Sequence, residues 1–582
     1  MSSEDFKKFE EQFRELLATS LANQIKTFGT SPGSSSSSSS KAKTEKTNKS
    51  QQRNKKQIRS VQFDSDSEED YEEDSTPDEY EDVKVPIKKN SIAPSSLKKS
   101  KNAITYNDDF YLTYADAYIE FTKQNPTTYH VVQYFAKLLE ANGFKYLSEK
   151  ENWEGSLKSE GLYYTIRNGT NVGAFAVGEN WKPENGIGII GSHIDALTAK
   201  LKPVSKKEKV DGYELLGVAN YAGGLSPAWF DRDLGIGGRV LVRVEDKEST
   251  TGFKVISKLV SSAPKPIARI STLAEHFGQV AAPPYDKETK AIPVIGFNPG
   301  PDAEPTKDEK KSPVIDKHPL ELLRFIAELA EVSVKDIVQL DLDLFDVQPG
   351  TKGGLRDDFI YAPRIDDRVC SFAAIHSLVE SFKEGIPEGS FSQVLLYDNE
   401  EVGSNTRQGA QSNLINTLTE NVIQKYIESN NTSASVGNLT KVAFANTLLL
   451  SADVNHLLNP TYKGEYLENH YPVPNKGITL SLDPNGHMVT DSVGLSIVEQ
   501  IAELNGDELQ RFHIKNGARS GGTIGPYISS HTGARTVDLG ISQLSMHSIR
   551  AAIGVKDVGL GIKFFNGFFK YWQGVNKSFG DL

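Results

Sequence analysis

A chain of 582 residues is too long for one ordinary core, so two or more domains are expected. The net charge of -12 argues against nucleic acid as a partner, and no apolar run approaches the roughly 18 to 20 residues that span a bilayer. A single cysteine, Cys370, excludes an intrachain disulfide and fits synthesis in a reducing cytoplasm, and the mixed-charge N-terminus reads as lacking a signal peptide.

The first stretch carries Phe6, Phe9, Phe13, Leu16, Leu17, Leu21, Ile25 and Phe28 mostly at spacings of three and four, with Lys, Glu and Arg between them. That periodicity predicts an amphipathic helix over 1–29, stopped by Gly29 and Pro32. A linker over 30–105 follows, with a serine run (Ser34 to Ser40), a Lys- and Gln-rich stretch and an acidic run (Asp64 to Asp82). Such composition buries too little apolar area to offset chain entropy and is expected to stay disordered. A helix with a one-sided apolar stripe on such an arm reads as a docking element, and its mixed-charge polar face argues against a membrane surface.

Folded sequence begins near Tyr106. Residues 110–142 are helical in pattern, and a buried-type strand then runs through Gly186-Ile187-Gly188-Ile189-Ile190-Gly191-Ser192 into His193-Ile194-Asp195. From 197 to 355 the texture changes to short strand-like runs (Arg239 to Arg243, Phe253 to Leu259, Ile292 to Phe297) among Pro- and Gly-rich turns, with a helical segment from Pro319 to Leu329. Gly235-Ile236-Gly237-Gly238 lacks the spacing of a dinucleotide fingerprint and reads as a turn with close packing. An α/β domain over 106–196 and 356–582, interrupted by a mainly β insertion over 197–355, is the expected architecture.

The α/β texture resumes with a recurring pattern. Phe359 to Ile365 ends in Asp366-Asp367, Val394 to Tyr397 leads to Glu400-Glu401, and Thr447 to Ala452 ends in Asp453. Val537 to Gly540 leads through a turn to His547. With the His193 strand, five apolar runs deliver a His, Asp or Glu at or near their ends. The carboxyl edge of one sheet would bring them together. Adjacent side chains on a strand alternate in direction, so of Glu400 and Glu401 one can bind a metal while its neighbour overhangs whatever the metal holds.

Two histidines and three or four carboxylates, without cysteine, suit a pair of divalent ions such as zinc, with cobalt or manganese as alternatives. A bridging carboxylate would hold the ions about 3.5 to 4 Å apart, and a free Glu would move the proton in hydrolysis of an amide or similar carbonyl bond. Spacing alone does not say which Asp bridges or which Glu is free.

The motifs Gly191-Ser192-His193-Ile194-Asp195-Ala196, Ala362-Pro363-Arg364-Ile365-Asp366-Asp367-Arg368, Asp398-Asn399-Glu400-Glu401-Val402-Gly403-Ser404, Ser451-Ala452-Asp453 and Ser545-Met546-His547-Ser548 together resemble the zinc metallopeptidase family that holds aminopeptidase I and aspartyl aminopeptidase. The likeness runs from about 106 to the C-terminus and leans to the family's fungal vacuolar branch. By resemblance, His193 and Asp453 hold one metal, Glu401 and His547 the other, and Asp366 bridges. Glu400 would be the general base, and Asp195 the partner that orients His193. The insertion would be a dimerisation domain, with dimers assembling into a dodecamer. His276 resembles a histidine that reaches a neighbouring subunit's active site, and Ser520 to Pro526, with Gly522, Thr523 and Gly525, looks like the substrate loop. The aspartyl branch carries a lysine near the position of Ser481, which this chain lacks, so a neutral or apolar N-terminal residue, leucine best, is expected on peptide substrates. The N-terminal helix resembles a propeptide that binds a selective-autophagy receptor, which implies delivery to the vacuole. The rival readings are a dinuclear-metal deacylase or carboxypeptidase, and an assembly or cargo protein with a degenerate site.

Overall fold

The computed structural model describes residues 104–582; the helix expected over 1–29 and the linker before Ile104 lie outside the described residues. The spine is a ten-stranded mixed sheet. Four parallel strands form its centre, in the spatial order Phe391–Tyr397, Gly188–His193, Leu448–Ala452 and Arg535–Gln543. Antiparallel strands flank them, Asn171–Val177 on one side and Ile478–Leu482 on the other.

The central strands read as continuous apolar runs because both faces are covered. Along Phe391–Tyr397, Val394 and Leu396 enter the cluster that includes Phe372, Phe565 and Trp572, while Phe391, Leu395 and Tyr397 enter the opposite cluster with Leu414, Leu418 and Trp153. The alternation is that of a pleated strand. Helices Ile365–Phe382 and Asp557–Ser578 cover the first face, and helix Leu414–Asn430 the second. At about 25 cal/mol per Å² of apolar surface removed from water, these two layers dominate the favourable side of folding.

A six-stranded, wholly antiparallel sheet is built from strands that all fall between Thr198 and Asp346. It has its own core around Trp229, Ile236, Leu323, Ile326 and Leu342, covered by helix Leu320–Leu329. Its first strand, Thr198–Lys206, begins three residues after Asp195.

Two local expectations are revised. The helical pattern over 110–142 is two helices, Asp108–Gln124 and Thr128–Ala141, because Pro126 pushes Asn125 out of helical geometry (φ -119°, ψ 71°). Gly235 to Gly238 is not a turn but lies inside strand Leu234–Glu245, where a Cβ at Gly238 would sit 2.3 Å from the Asp341 carbonyl oxygen. The expectation of close packing there holds; the glycines serve neighbouring strands rather than a bend.

Candidate metal centre and active site

Register explains why the predicted side chains meet. Tyr397 lies opposite His193, Gly191 opposite Ser451, and Ala452 opposite Leu539, so three of the central strands finish at one level while the fourth runs on to Gln543. His193 closes its strand. Asp453 follows the end of Leu448–Ala452, and Gly540 admits its backbone: a Cβ there would sit 1.8 Å from the Asp453 carbonyl oxygen. Glu400 and Glu401 open a short 3-10 turn, Glu400–Val402, entered through Asn399 at φ 61°. Asp366 enters at the start of the buried helix Ile365–Phe382, which follows strand Phe359–Ala362 of a separate three-stranded sheet. His547 sits beyond Gln543 at φ 61°, with 59% of its side chain exposed.

The centre is tight. His193 Nε2 lies 3.2 Å from Asp366 Oδ1, 3.6 Å from Asp453 Oδ1 and 3.9 Å from Glu400 Oε2. The other oxygen of Asp366 faces the opposite way, 3.7 Å from His547 Nε2, and Glu401 Oε2 lies 3.9 Å from the same nitrogen. Gln543 Nε2 also donates to Asp366 Oδ2 at 3.3 Å. Asp195 Oδ1 meets His193 Nδ1 at 3.2 Å. A carboxylate can only accept, so Nδ1 carries a proton, and Nε2 faces the centre.

Six carboxylates around two imidazoles repel one another and are starved of water. Burial, with Asp453, Asp195 and Asp366 adding to it, pushes Glu400 up to about 8 against the lowering pull of His193. Burial and then Asp366 raise Glu401 well above the carboxylate range, and burial raises Asp453 in spite of His193. Burial would lower the His193 imidazole, but Asp453, Asp195 and Asp366 outweigh it and raise it well above its ordinary value. Compact positive charge is what such a cluster lacks.

The donors fit metal. Two groups of three, His193 with Asp367 and Asp453, and Asp366 with Glu401 and His547, each bring ligand atoms within 4.8 Å of one another. All donors are nitrogen or oxygen, which suits zinc and its neighbours. Glu401 Oε1 and Asp367 Oδ1 are buried without a hydrogen-bond partner, so a cation would satisfy atoms the protein leaves bare.

The geometry thus brings together His193, Asp195, Asp366, Glu400, Glu401, Asp453 and His547. His276 is not among them within one chain; it lies exposed on the segment Glu275–Ala281 of the smaller sheet's region, beside exposed Phe277 and Val280. In the glycine loop, Gly522 is exposed with open space where a side chain would go. Thr523 is buried and donates to Asp538 Oδ1 at 2.7 Å, and a Cβ at Gly525 would lie 2.4 Å from the same oxygen. Sequence reasoning passed over three residues. Asp367, fully buried, accepts from Ser192 Oγ at 2.6 Å. Asp538 anchors the glycine loop, and Tyr221 reaches Asp195 from the smaller sheet. Asp367 was adjacent to a predicted ligand and could have been weighed with it; nothing local marks the other two.

A mixed α/β sheet whose carboxyl edge gathers two histidines and a surplus of buried carboxylates defines a metal-dependent hydrolase. The family described as aminopeptidase I zinc metalloprotease (M18) matches residues 121–569. The chain is 54% identical over 506 residues to vacuolar aminopeptidase 1 of Saccharomyces cerevisiae, covering 85% of this chain and 96% of that one. It is 34% identical over 488 residues to the aspartyl aminopeptidase of Aspergillus oryzae, covering 79% and 96%. Among solved structures, the crystal structure of prApe1 matches with a TM-score of 0.76 at 54% identity, over 81% of this chain and 96% of that one. The S. cerevisiae mApe1 dodecamer matches at 0.72 and 50% identity, over 81% and 100%. A chain of the cryo-EM structure of the Ape4 and Nbr1 complex matches at 0.75 and 32% identity, over 82% and 89%. The chain belongs to the M18 aminopeptidase I family and is a zinc aminopeptidase.

Proposed function

We propose that the enzyme holds two zinc ions and releases neutral or apolar N-terminal residues, leucine best, from peptides. The observation that carries the two-metal reading is Asp366, whose Oδ1 faces His193 at 3.2 Å and whose Oδ2 faces His547 at 3.7 Å. In this reading His193 and Asp453 hold one ion, Glu401 and His547 the other, and Asp366 is shared. Zinc bound there supplies Lewis acidity toward a carbonyl and toward water. Asp195 keeps the Nε2 lone pair of His193 aimed inward. Glu400 takes a proton from the attacking water and delivers it to the nitrogen of the leaving amine as the peptide bond breaks.

The preference for neutral side chains rests on Ser481. It is buried in strand Ile478–Leu482, and its hydroxyl accepts a short hydrogen bond from Asn455 Nδ2, so that position offers an acidic substrate no cation. The greater identity to a vacuolar aminopeptidase 1 than to an aspartyl aminopeptidase points the same way. Comparing turnover of leucyl and glutamyl peptides decides it: leucyl cleavage should be the faster, and faster glutamyl cleavage would sink the reading. N-acetylated peptides should resist, which separates an aminopeptidase from a deacylase or carboxypeptidase.

Assembly and location follow the relatives. We read the insertion over 197–355 as the dimerisation domain and the working form as a dodecamer built from dimers, in line with the mApe1 dodecamer. His276, exposed beside Phe277 and Val280, is the residue we assign to a neighbouring subunit's site. The predicted helix over 1–29 would engage a selective-autophagy receptor and carry the enzyme to the vacuole. A tagged protein that stays diffuse in the cytosol after starvation, with its N-terminus intact, would discard that part.

A further inference from the structure

We propose that Tyr221 is a positioning residue of the active site, supplied by the smaller sheet, and that it fixes the Asp195 carboxylate behind His193, Glu400 and Glu401. The inference rests on the site reading above and extends it to a residue outside the large sheet.

Asp195 is buried, and its two oxygens accept four hydrogen bonds. Oδ1 accepts from His193 Nδ1 at 3.2 Å and from the Glu400 backbone N–H at 3.1 Å. Oδ2 accepts from the Glu401 backbone N–H at 3.2 Å and from the Tyr221 hydroxyl at 2.7 Å. Four bonds fill the in-plane acceptor sites of a carboxylate and leave it one orientation. Three of the four lead to the ligand histidine and to the turn that carries both glutamates. The fourth, from Tyr221, is the one that comes from another sheet. The same hydroxyl accepts from Asn399 Nδ2 at 3.0 Å, and Asn399 Oδ1 accepts from Thr406 Oγ1 at 2.9 Å. The phenol is therefore held at both ends, its proton committed to Asp195.

The route by which Tyr221 arrives explains why it is rigid. The chain leaves Asp195, runs out along Thr198–Lys206 and returns along Tyr213–Tyr221, so that Tyr221 pairs with Thr198. The turn that follows is pressed onto that pairing: a Cβ at Gly224 would sit 2.1 Å from the Thr198 carbonyl oxygen. The Lys200 ammonium, itself bonded to Asp343 at 2.9 Å, lies 5.1 Å from the centre of the Tyr221 ring. A hairpin that grows out of the His193 strand thus folds its own end back against that strand's carboxylate. By this account the smaller sheet completes the catalytic edge rather than serving only as an outer surface.

The test is Tyr221→Phe in the full-length zinc-loaded enzyme, read by kcat, by KM and by zinc loss to a competing chelator. Partners behind a metal ligand typically change metal affinity or activity about 10- to 100-fold. The expected result is kcat down about tenfold with KM within about twofold, and zinc surrendered at about tenfold lower chelator concentration. Added to Asp195→Asn, Tyr221→Phe should cost less than about twofold more, because the hydroxyl acts through Asp195. Wild-type values in both kcat and zinc competition, or full multiplication of the two effects in the double variant, would overturn the proposal. If Tyr221→Phe fails to fold, Asn399→Ala removes the bond that aims the hydroxyl, and wild-type zinc retention and kcat there would overturn it equally. Failure of the site reading is separable: a Glu400→Gln enzyme that keeps zinc and full activity refutes that reading, whereas an inactive Glu400→Gln beside a wild-type-like Tyr221→Phe refutes only the role of Tyr221.

Discussion

Thr523 Oγ1 donates to Asp538 Oδ1 across 2.7 Å and ties the glycine loop to the strand beside Asp453. Asp538 Oδ2 also accepts from the Val489 backbone N–H at 2.6 Å, so one buried carboxylate grips two loops at once. Burial pushes Asp538 up to about 6 even though Thr523, Val489 and Ser451 pull it down. Asp538→Ala removes both anchors and leaves the buried Thr523 hydroxyl and the partly buried Val489 N–H without this partner, at up to about 1 to 3 kcal/mol each. The expected outcome is a loss of about 2 to 4 kcal/mol in unfolding free energy, together with a KM for leucyl peptides raised several-fold. Denaturant melts and steady-state kinetics measure both, and unchanged KM would show that the loop works without this anchor.

Glu400→Gln preserves shape and removes the carboxylate we propose as the proton carrier. Its Oε2 lies 3.9 Å from His193 Nε2, farther than Asp366 or Asp453, which leaves it the freest of the carboxylates facing His193. General acid–base groups contribute about 10²- to 10⁴-fold. The variant should therefore keep its zinc while kcat falls by about that factor, with KM little changed, as elemental analysis beside kinetics will show.

The two histidines should respond differently to truncation. His547 is 59% exposed on a loop, whereas His193 is buried and bonded to Asp195. His547→Ala is expected to lower the zinc content with a loss of stability under about 1 kcal/mol, as surface changes usually do. His193→Ala opens a cavity and removes one of the donors that Asp195 accepts from, and should cost about 2 to 4 kcal/mol. Equal melting temperatures for the two variants would contradict this asymmetry. Chelation should abolish activity in the wild type, and added zinc should restore it.

Much of the cluster was legible because a His, Asp or Glu at a strand end sits beside an apolar run, and both lie within a few residues. His193, Asp453 and the Glu400–Glu401 pair are of that kind. The roles within a pair were less so. The glutamates are separated by a 3-10 turn rather than by strand alternation, and Asp366 and Asp367 differ in burial and in the Ser192 bond, which sequence does not carry. Tyr221 was invisible because it lies 26 residues from Asp195 and meets it only when a hairpin closes. Gly235 to Gly238 misled for a related reason: glycines read locally as a bend, but here they make room for the Asp341 and Val260 carbonyl oxygens of partner strands.

Buried histidines should make the fold acid-sensitive. His376 lies between Phe372, with ring centres 4.1 Å apart, and Tyr114, and it shares a 3.3 Å hydrogen bond with the Tyr134 hydroxyl. Burial lowers it to about 3, and burial lowers His130 to about 3 and His318 to about 4. The sign follows from linkage. Below an unfolded value of about 6.5 the unfolded chain takes up a proton that the folded one refuses, so stability is complete above about pH 6.5 and is lost as pH falls toward 4 and 3. For the fully buried His376 the loss between pH 7 and 4.5 amounts to about 2 to 3 kcal/mol. His376→Gln, which keeps a polar partner for Tyr134, should flatten the pH dependence of unfolding by the slope of one proton, about 1.4 kcal/mol per pH unit in that window. Denaturant midpoints collected at pH 7, 6, 5 and 4.5 give the slope directly, and identical slopes for variant and wild type would place the acid sensitivity elsewhere.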